Sequence, residues 1–425
     1  MSRLKSIVAW LASKPLLVVI AVWVIDAAIC WMRMRPVERD RIWTDDNVGF
    51  LQAWVLHPSP WFPFTPYAGY LNFLPKIASG AISLMPAYYW ALLTTAAGCV
   101  FVGSVGAVAF WASKFLISSW PARVAVALVP AMLPIAGVEP LGTLCCLHYW
   151  AIYAIFWLLF AQPHRRGAII ASVIFTLVWT ISETQIIFLV PLALLFVIRS
   201  KHLGQRLVAA TTILGSLAQL VTYFVVGRSP YSSDPQHLAQ VLKGTLINTF
   251  GGTLTSSSAL TDSISTYFGF RALTVLALVS LVPVVIAFWR GDGKTRLALF
   301  YICGLALFLY PFAAYTLKFP IGAPEVPWRW GTAPALCMLA TWIIALDQFV
   351  QRKRIAVTVA AFILATLFIV QCVSFTSRND QRTGGVAWRD FVVAGRAECQ
   401  AGATQVASPG WPSNWAWYVP CDRLR

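Results

Sequence analysis

Charge is what this sequence has least of. Only 11% of its 425 residues are Asp, Glu, Lys or Arg, and the acids number 16. Soluble domains carry roughly a quarter charged residues, so an ordinary water-soluble globule is excluded. Histidine is scarce as well, with five in the chain. Walker loops, dinucleotide fingerprints, zinc-ligand spacings and nucleophile elbows are all missing. Their absence removes the chemistries those motifs serve. Nor is any polar stretch long enough to build a separate soluble domain.

Apolar sequence fills the space. Hydrophobic residues make up 59% of the chain, with 20 Trp and 26 Phe, and the mean hydropathy is +0.70. Runs of about 20 apolar residues recur along the whole length, enough to cross roughly 30 Å of hydrocarbon. The expected fold is an all-α polytopic integral membrane protein with about 11 transmembrane helices. The spans read as 12–31, 86–112, 122–138, 144–161, 167–181, 185–198, 207–226, 271–289, 296–314, 331–350 and 355–374. The third, fifth and sixth are short, which leaves another pairing of hairpins open.

The formal net charge of +16 suggests a nucleic-acid partner until the charges are placed. With the N-terminus inside, the cytoplasmic connections read "MSRLKS…SK", "SKFLISSWPAR", "QPHRRG", "RSKHLGQR", "RGDGKTR" and "QRKR". They hold 16 Lys and Arg against two acids, Asp292 and Asp347; the rest of the chain holds 16 Lys and Arg with 14 acids. That split is the positive-inside pattern. It implies membrane lipids as surroundings, no nucleic acid, a cytoplasmic N-terminus and a C-terminal tail outside. The first span, in "VVIAVWVIDAAICWMRMRP", is expected to act as a signal anchor. Low lysine and abundant tryptophan fit a bacterial inner membrane. Seven of the nine cysteines fall in or beside apolar spans, as core residues do. Cys399 and Cys421 lie in the polar tail, where an oxidising periplasm favours a disulfide between them.

The chain divides into a transmembrane region, 1–374, and a small outer tail, 375–425. The outer loops run over about 32–85, 227–270 and 315–330, and two tight outer turns carry one acid each, Glu139 and Glu183. Long loops usually bind or catalyse, whereas the inner loops are short and basic. Within the first outer loop, "WTDDNVGFLQAWVLHP" puts Val48, Leu51, Trp54 and Val55 on one stripe, as an interfacial helix would, with Thr44 or Asp45 as its N-cap. Prolines and aromatics follow in "PSPWFPFTPYAGYLNFLPK", and "LPKIASGAISLMP" reads as a second short surface helix.

The adjacent acids Asp45 and Asp46 sit soon after the first span. A carboxylate there suits one chemistry. Transfer of a group from a lipid phosphate needs an acceptor hydroxyl relieved of its proton and a departing phosphate charge stabilised. The lipid stays in the bilayer, so the acid must lie at membrane-surface depth. Neighbouring side chains on a helix point about 100° apart, so one acid can face a cavity while the other caps or binds water. Asp45 and Asp46 are both candidates for the base; a helix cap plus a solvated acid is the plain alternative. Glu139 and Glu183, at the outer ends of spans, are further candidates because boundary acids need partners. For phosphate, Arg329 and Lys318 lie among aromatics in "YTLKFPIGAPEVPWRWGTAP", where Glu325 offers Arg329 a structural partner instead. His237, in "SSDPQHLAQ", is a candidate metal ligand beside the acids, or simply a solvated loop histidine. Arg33, Arg35, Arg39 and Arg41 read as structural, offset by Glu38, Asp40 and the Asp pair, with an anionic acceptor or lipid as the alternative partner, and "WPSNWAWYVPC" reads as an aromatic anchor or a lid.

This pattern resembles the GT-C class of membrane glycosyltransferases, which use polyprenyl-phosphate sugars as donors. In that class the first outer loop carries one or two acids soon after the first span and then surface helices. "WTDDNVGF" occupies that place, and "TPYAGYLNFLPK" is similar to bacterial members that decorate O-antigen or related glycans. The likeness covers the whole chain as a topology and one short motif as sequence. Many members append a soluble periplasmic domain where this chain has only its tail.

The resemblance implies a periplasm-facing inverting transferase. It would move a sugar from undecaprenyl phosphate to a lipid-linked or cell-envelope glycan, with Glu139 matching a second acid that orients acceptor or metal. It leaves Mg2+ or Mn2+ open. Two rivals remain: an O-antigen polymerase or ligase, and a lipid or glycan flippase. The loop at 227–270 is poorer in Arg than the polymerase reading wants, and neither inverted repeats nor mid-span charges beyond Asp26 favour the flippase.

Overall fold

Apolar stretches that must satisfy their own backbone become helices, and helices make up nearly all of the regular structure. The computed structural model describes residues 14–137, 139–227, 237–254, 269–318, 328–350, 372, 375–376, 380–409 and 415–424. Six helical segments are long and apolar enough to cross a membrane: Pro15–Arg33, Ala87–Ser113, Trp120–Gly137, Leu203–Val226, Gly293–Leu317 and Arg329–Phe349. Four shorter apolar ones are His148–Phe160, Arg166–Thr180, Thr184–Arg199 and Thr274–Arg290. Together they fall on the expected spans, except 355–374, of which residue 372 alone is described. The class is that of an all-α membrane protein, with six rather than eleven full-length candidate spans among the described residues.

Within those segments the α-helices are α1 (Pro15–Arg33), α5 (Trp90–Ser113), α6 (Trp120–Met132), α7 (His148–Phe160), α8 (Arg166–Thr180) and α9 (Val190–Arg199). They continue with α10 (Leu203–Val226), α13 (Gly269–Arg290), α14 (Gly293–Leu317) and α15 (Thr332–Val350). All 13 residues of α7 are buried, so it is the axis around which α5, α8 and α15 pack. At about 1.5 Å per residue it is roughly 20 Å long, too short to cross a bilayer alone.

Two expected spans end differently from their apolar runs. In 122–138 the helix stops at Met132, because Leu133 precedes Pro134 and is driven to an extended ψ of 119°. In 144–161 the first four residues form turns, and α7 begins only at His148.

Helix α1 lies along α5, and small residues permit it. A Cβ on Gly103 would stand 2.7 Å from the Trp23 carbonyl, and one on Gly106 would stand 1.8 Å from Asp26 Oδ2. This is close approach through small residues, the usual device of membrane helix pairs. Other faces stay bare: Val24 on α1 is 61% exposed, Val225 on α10 78% and Trp289 on α13 73%. Apolar surface of that extent fits hydrocarbon rather than water.

The two ends of the bundle differ in chemistry. At one end the connections are basic and short, tied by Asp347, which accepts from the Ser118 and Ser119 amides at 3.1 Å. The other end holds residues 34–85, the turns at 133–147 and 181–189, and the C-terminal segment.

Residues 34–85 are built from α2 (Pro36–Arg39), a π-helical turn at Asp46–Leu51 running into α3 (Gln52–Leu56), the hairpin β1 (Pro66–Tyr67) and β2 (Tyr70–Leu71), and α4 (Phe73–Ser83). The sequence suggests two surface helices here. The structure instead packs them together: Leu51 and Val55 are buried, α4 contributes eight buried residues, and Trp54 Nε1 donates to the Lys76 carbonyl at 2.6 Å. The apolar stripe thus has a protein partner. The expected N-cap also differs, because Asp45 heads the π turn without a side-chain cap bond.

After the small helices α11 (Leu238–Thr245) and α12 (Gly252–Leu254), the last described part of the chain holds α16 (Asp380–Thr383), α17 (Trp388–Gln400), β3 (Gln405–Ala407), β4 (Tyr418–Pro420) and α18 (Cys421–Leu424). Strands β3 and β4 pair antiparallel, and Cys399 and Cys421 are joined by a disulfide with Cα atoms 5.6 Å apart. This segment is docked on residues 34–90. Trp388, 1% exposed, donates its backbone N–H to the Asp40 carbonyl and its indole N–H to Ala87, both at 2.8 Å. Arg389 pairs with Asp40 at 2.8 Å. Arg41 and Arg33 add one bond each to this part of the chain, to the Gly385 and Phe375 carbonyls, while their other donors hold Val37, Ala131 and Leu133.

Replacing a buried tryptophan by alanine costs about 3–5 kcal/mol. Trp388→Ala should therefore release the C-terminal segment: limited proteolysis of the purified protein is expected to cut within 380–424 at once, while the helical bundle stays intact.

Candidate functional site

Two adjacent carboxylates are separated into different surroundings. Asp46 is 1% exposed, and both its oxygens are held: Oδ2 accepts from the Leu144 amide at 2.8 Å and Oδ1 from the Cys145 amide at 2.6 Å. These donors belong to the turn that precedes α7. Arg382 stands behind the same turn, donating to the carbonyls of Gly142 (3.2 Å) and Arg41 (2.9 Å) and to Thr95 Oγ1 (2.7 Å). Burial pushes the Asp46 carboxyl up to about 7, against the lowering pull of the two amides and of Arg382. Asp46 is a structural acceptor.

Asp45 is half-buried and faces the other way, into a cavity of about 80 Å³. Tyr67, Ala68, Tyr70 and Asn72 line it from the hairpin side, Cys145, Cys146, His148 and Tyr149 from the start of α7, and Arg329 and Trp330 from the turn before α15. The phenol of Tyr67 donates to Asp45. Burial and then the Asp45 carboxylate push that phenol well above its ordinary range, so it stays a donor. The hairpin turn that presents it has φ of +50° at Ala68 and +84° at Gly69, the mirror-image conformation that matches strand twist. Gly49 makes room, since a Cβ there would lie 2.8 Å from the Tyr67 ring. One carboxylate is spent on the scaffold and its neighbour faces the cavity.

Glu139 does not line the cavity. Its carboxylate accepts from Arg329 at 2.9 Å and from Trp43 Nε1 at 3.3 Å, so it anchors the arginine that does. Glu183, 2% exposed, accepts from the Gln185 amide at 2.6 Å, from Thr184 Oγ1 at 3.3 Å and from Nδ1 of His148. It too acts behind the cavity, holding a histidine that lines it.

Two candidates lie elsewhere. Lys318 ends α14 with φ of +50°, exposed and outside the residues that line the cavity; its place beside aromatics in sequence did not bring it to the site. His237 is the exposed N-cap residue of α11. Glu325 lies outside the described residues.

The donor set assembles no divalent-metal site among the described residues. Among the described residues no group of three or more His, Cys, Asp or Glu side chains is placed to hold one. Asp45 is the sole carboxylate among the described lining residues, and Asp46, Glu139 and Glu183 already accept protein donors.

Four contributors were not picked out as site residues from the sequence: Tyr67, His148, the Leu144–Cys145 amides and Arg382. Backbone amides have no side-chain signature, and Arg382 is more than 200 residues from the carbonyls of Leu141 and Gly142 that it binds. His148 had one faint cue, being a lone histidine at the edge of an apolar run. No protein-family model, curated protein or solved structure matches the chain.

The Asp46 environment has a measurable consequence. An unfolded aspartate titrates near 3.9, so with a folded value of about 7 the native state binds the proton more tightly between about pH 4 and pH 7. Stability from this group is present below that window and is lost as pH rises through it, by on the order of a few kcal/mol. The wild-type unfolding temperature should fall from pH 5 to pH 8, and Asp46→Asn should flatten that slope; equal slopes would contradict the assignment.

Proposed function

We propose that the chain is a membrane glycosyltransferase that takes a sugar from a polyprenyl-phosphate donor and passes it to a lipid-linked or cell-envelope glycan. The observation that carries this reading is Asp45. It is a half-buried carboxylate, fixed by Tyr67, on a cavity that also presents Arg329 and aromatic rings. The resemblance of "WTDDNVGF" to the GT-C first-loop motif supports it. So does the membrane class, since a lipid-borne donor must be met at the bilayer. In this reading about eleven spans cross a bacterial inner membrane, the basic end faces the cytoplasm, and the cavity opens on the periplasmic side.

The chemistry asked of the residues is modest. An acceptor hydroxyl enters beside Asp45, which takes its proton as the oxygen bonds to the anomeric carbon. The bond from that carbon to the phosphate oxygen breaks, and its electron pair leaves with polyprenyl phosphate. Attack from the face opposite the leaving group inverts the anomeric centre. Arg329, oriented by Glu139, lies on the cavity where the growing phosphate charge needs a fixed cation. Asp46 takes no proton from substrate; it holds the loop that aims Asp45.

General-base catalysis contributes typically about 10²–10⁴-fold. Asp45→Asn should therefore reduce transfer by roughly that factor at unchanged protein level. The assay is mass spectrometry of envelope glycans from a deletion strain complemented with each variant. Loss of one sugar unit per glycan in the deletion strain is the expected result, and an unaltered glycan would overturn the reading. Loss of chain length instead would mark a polymerase.

A further inference from the structure

The cavity is short of positive charge for the donor it is proposed to take. Of the two cations expected from sequence, only Arg329 lines it, and its guanidinium is shared with Glu139 at 2.9 Å. Asp45 adds a carboxylate to the same space. In the transfer step the donor phosphate changes from a diester to a monoester, so its charge grows toward about −2. Something further must donate to it.

His148 is placed for this. Its Nδ1 bonds to Glu183, a buried carboxylate whose other partners are the Gln185 amide and Thr184 hydroxyl. That bond fixes the ring and leaves Nε2 for the cavity His148 lines. Tyr149 and Tyr70 brace the imidazole, with ring centroids 4.0 and 5.7 Å away. With a proton on each ring nitrogen, Nδ1–H is donated backward to Glu183 and Nε2–H forward. The forward N–H then meets an anion in a charge-assisted bond.

We propose that His148, held by Glu183, is the second phosphate-binding group of this cavity, donating Nε2–H to the phosphate of a polyprenyl phosphate alongside Arg329. The inference rests on the proposed transfer reading and names the group that receives its leaving phosphate. During transfer the acceptor proton goes to Asp45, the sugar–phosphate bond breaks toward the phosphate oxygen, and His148 keeps its proton, sharing it with that oxygen.

The test is binding of undecaprenyl phosphate, with undecaprenol as the phosphate-free control, to the full-length protein in lipid nanodiscs. Hydrogen bonds to charged groups are worth about 1.5–3 kcal/mol, so His148→Ala should weaken binding of undecaprenyl phosphate roughly 10–150-fold and leave undecaprenol unchanged. His148→Gln keeps a side-chain N–H donor and should recover most of that loss. Lys318→Ala should bind like wild type. Unaltered unfolding temperatures for the variants would show that the fold is retained.

If His148→Ala binds undecaprenyl phosphate as wild type does while Asp45→Asn stops transfer, the role of His148 is wrong and the transfer reading stands. If Gln is as damaging as Ala, His148 is not acting as a donor. If wild type does not prefer undecaprenyl phosphate to undecaprenol, both ideas fail.

Discussion

The grip of two backbone amides on Asp46 organises this end of the molecule. Leu144 and Cys145 donate to its two oxygens in a fully buried setting, and two consequences follow from that one contact. Residues 44–51 are pinned against the start of α7, which brings a loop segment and a buried helix within reach of one cavity. With Asp46 turned inward, Asp45 is turned toward the cavity. An acid that forms part of the scaffold thus leaves its neighbour to face the cavity. Removing either would damage the site, for opposite reasons.

The C-terminal segment belongs to the same construction. Asn47, next to Asp46, accepts from the Trp417 indole at 2.8 Å and donates to the Trp415 carbonyl at 3.2 Å. Arg382 ties the 141–142 carbonyls to Arg41 and Thr95. With Trp388 and Arg389 on Asp40 and Ala87, the tail braces the loop that carries both acids. The sequence suggested a membrane anchor or a lid for its aromatics; Trp417, 3% exposed, is instead an internal brace. On the proposed function, a rigid base is what a direct displacement needs, since small misplacements of catalytic groups are expensive.

Much of the class was legible in composition, because apolar runs and the placement of Lys and Arg follow from the solvent a helix meets. Asp45 and Glu183 were legible as candidates because isolated acids in a greasy chain need a reason to be there. Other features were hidden for physical causes. Periodicity shows that Leu51, Trp54 and Val55 share a face, but whether that face meets lipid or helix α4 is decided by tertiary packing. Adjacent acids look alike in sequence; what separates Asp45 from Asp46 is a turn almost 100 residues on. Lys318 resembled Arg329 as a cation beside a span, yet only Arg329 had Glu139 to draw it to the cavity.

Selective labelling of carboxylates tests the division between the two acids most directly. The folded protein, in nanodiscs, would be treated with a water-soluble carbodiimide and an amine and then mapped by peptide mass spectrometry. Asp45 should be modified and should be protected when undecaprenyl phosphate is present, while Asp46 remains unmodified throughout. Equal modification of both acids, or labelling of Asp46 with Asp45 spared, would contradict the account.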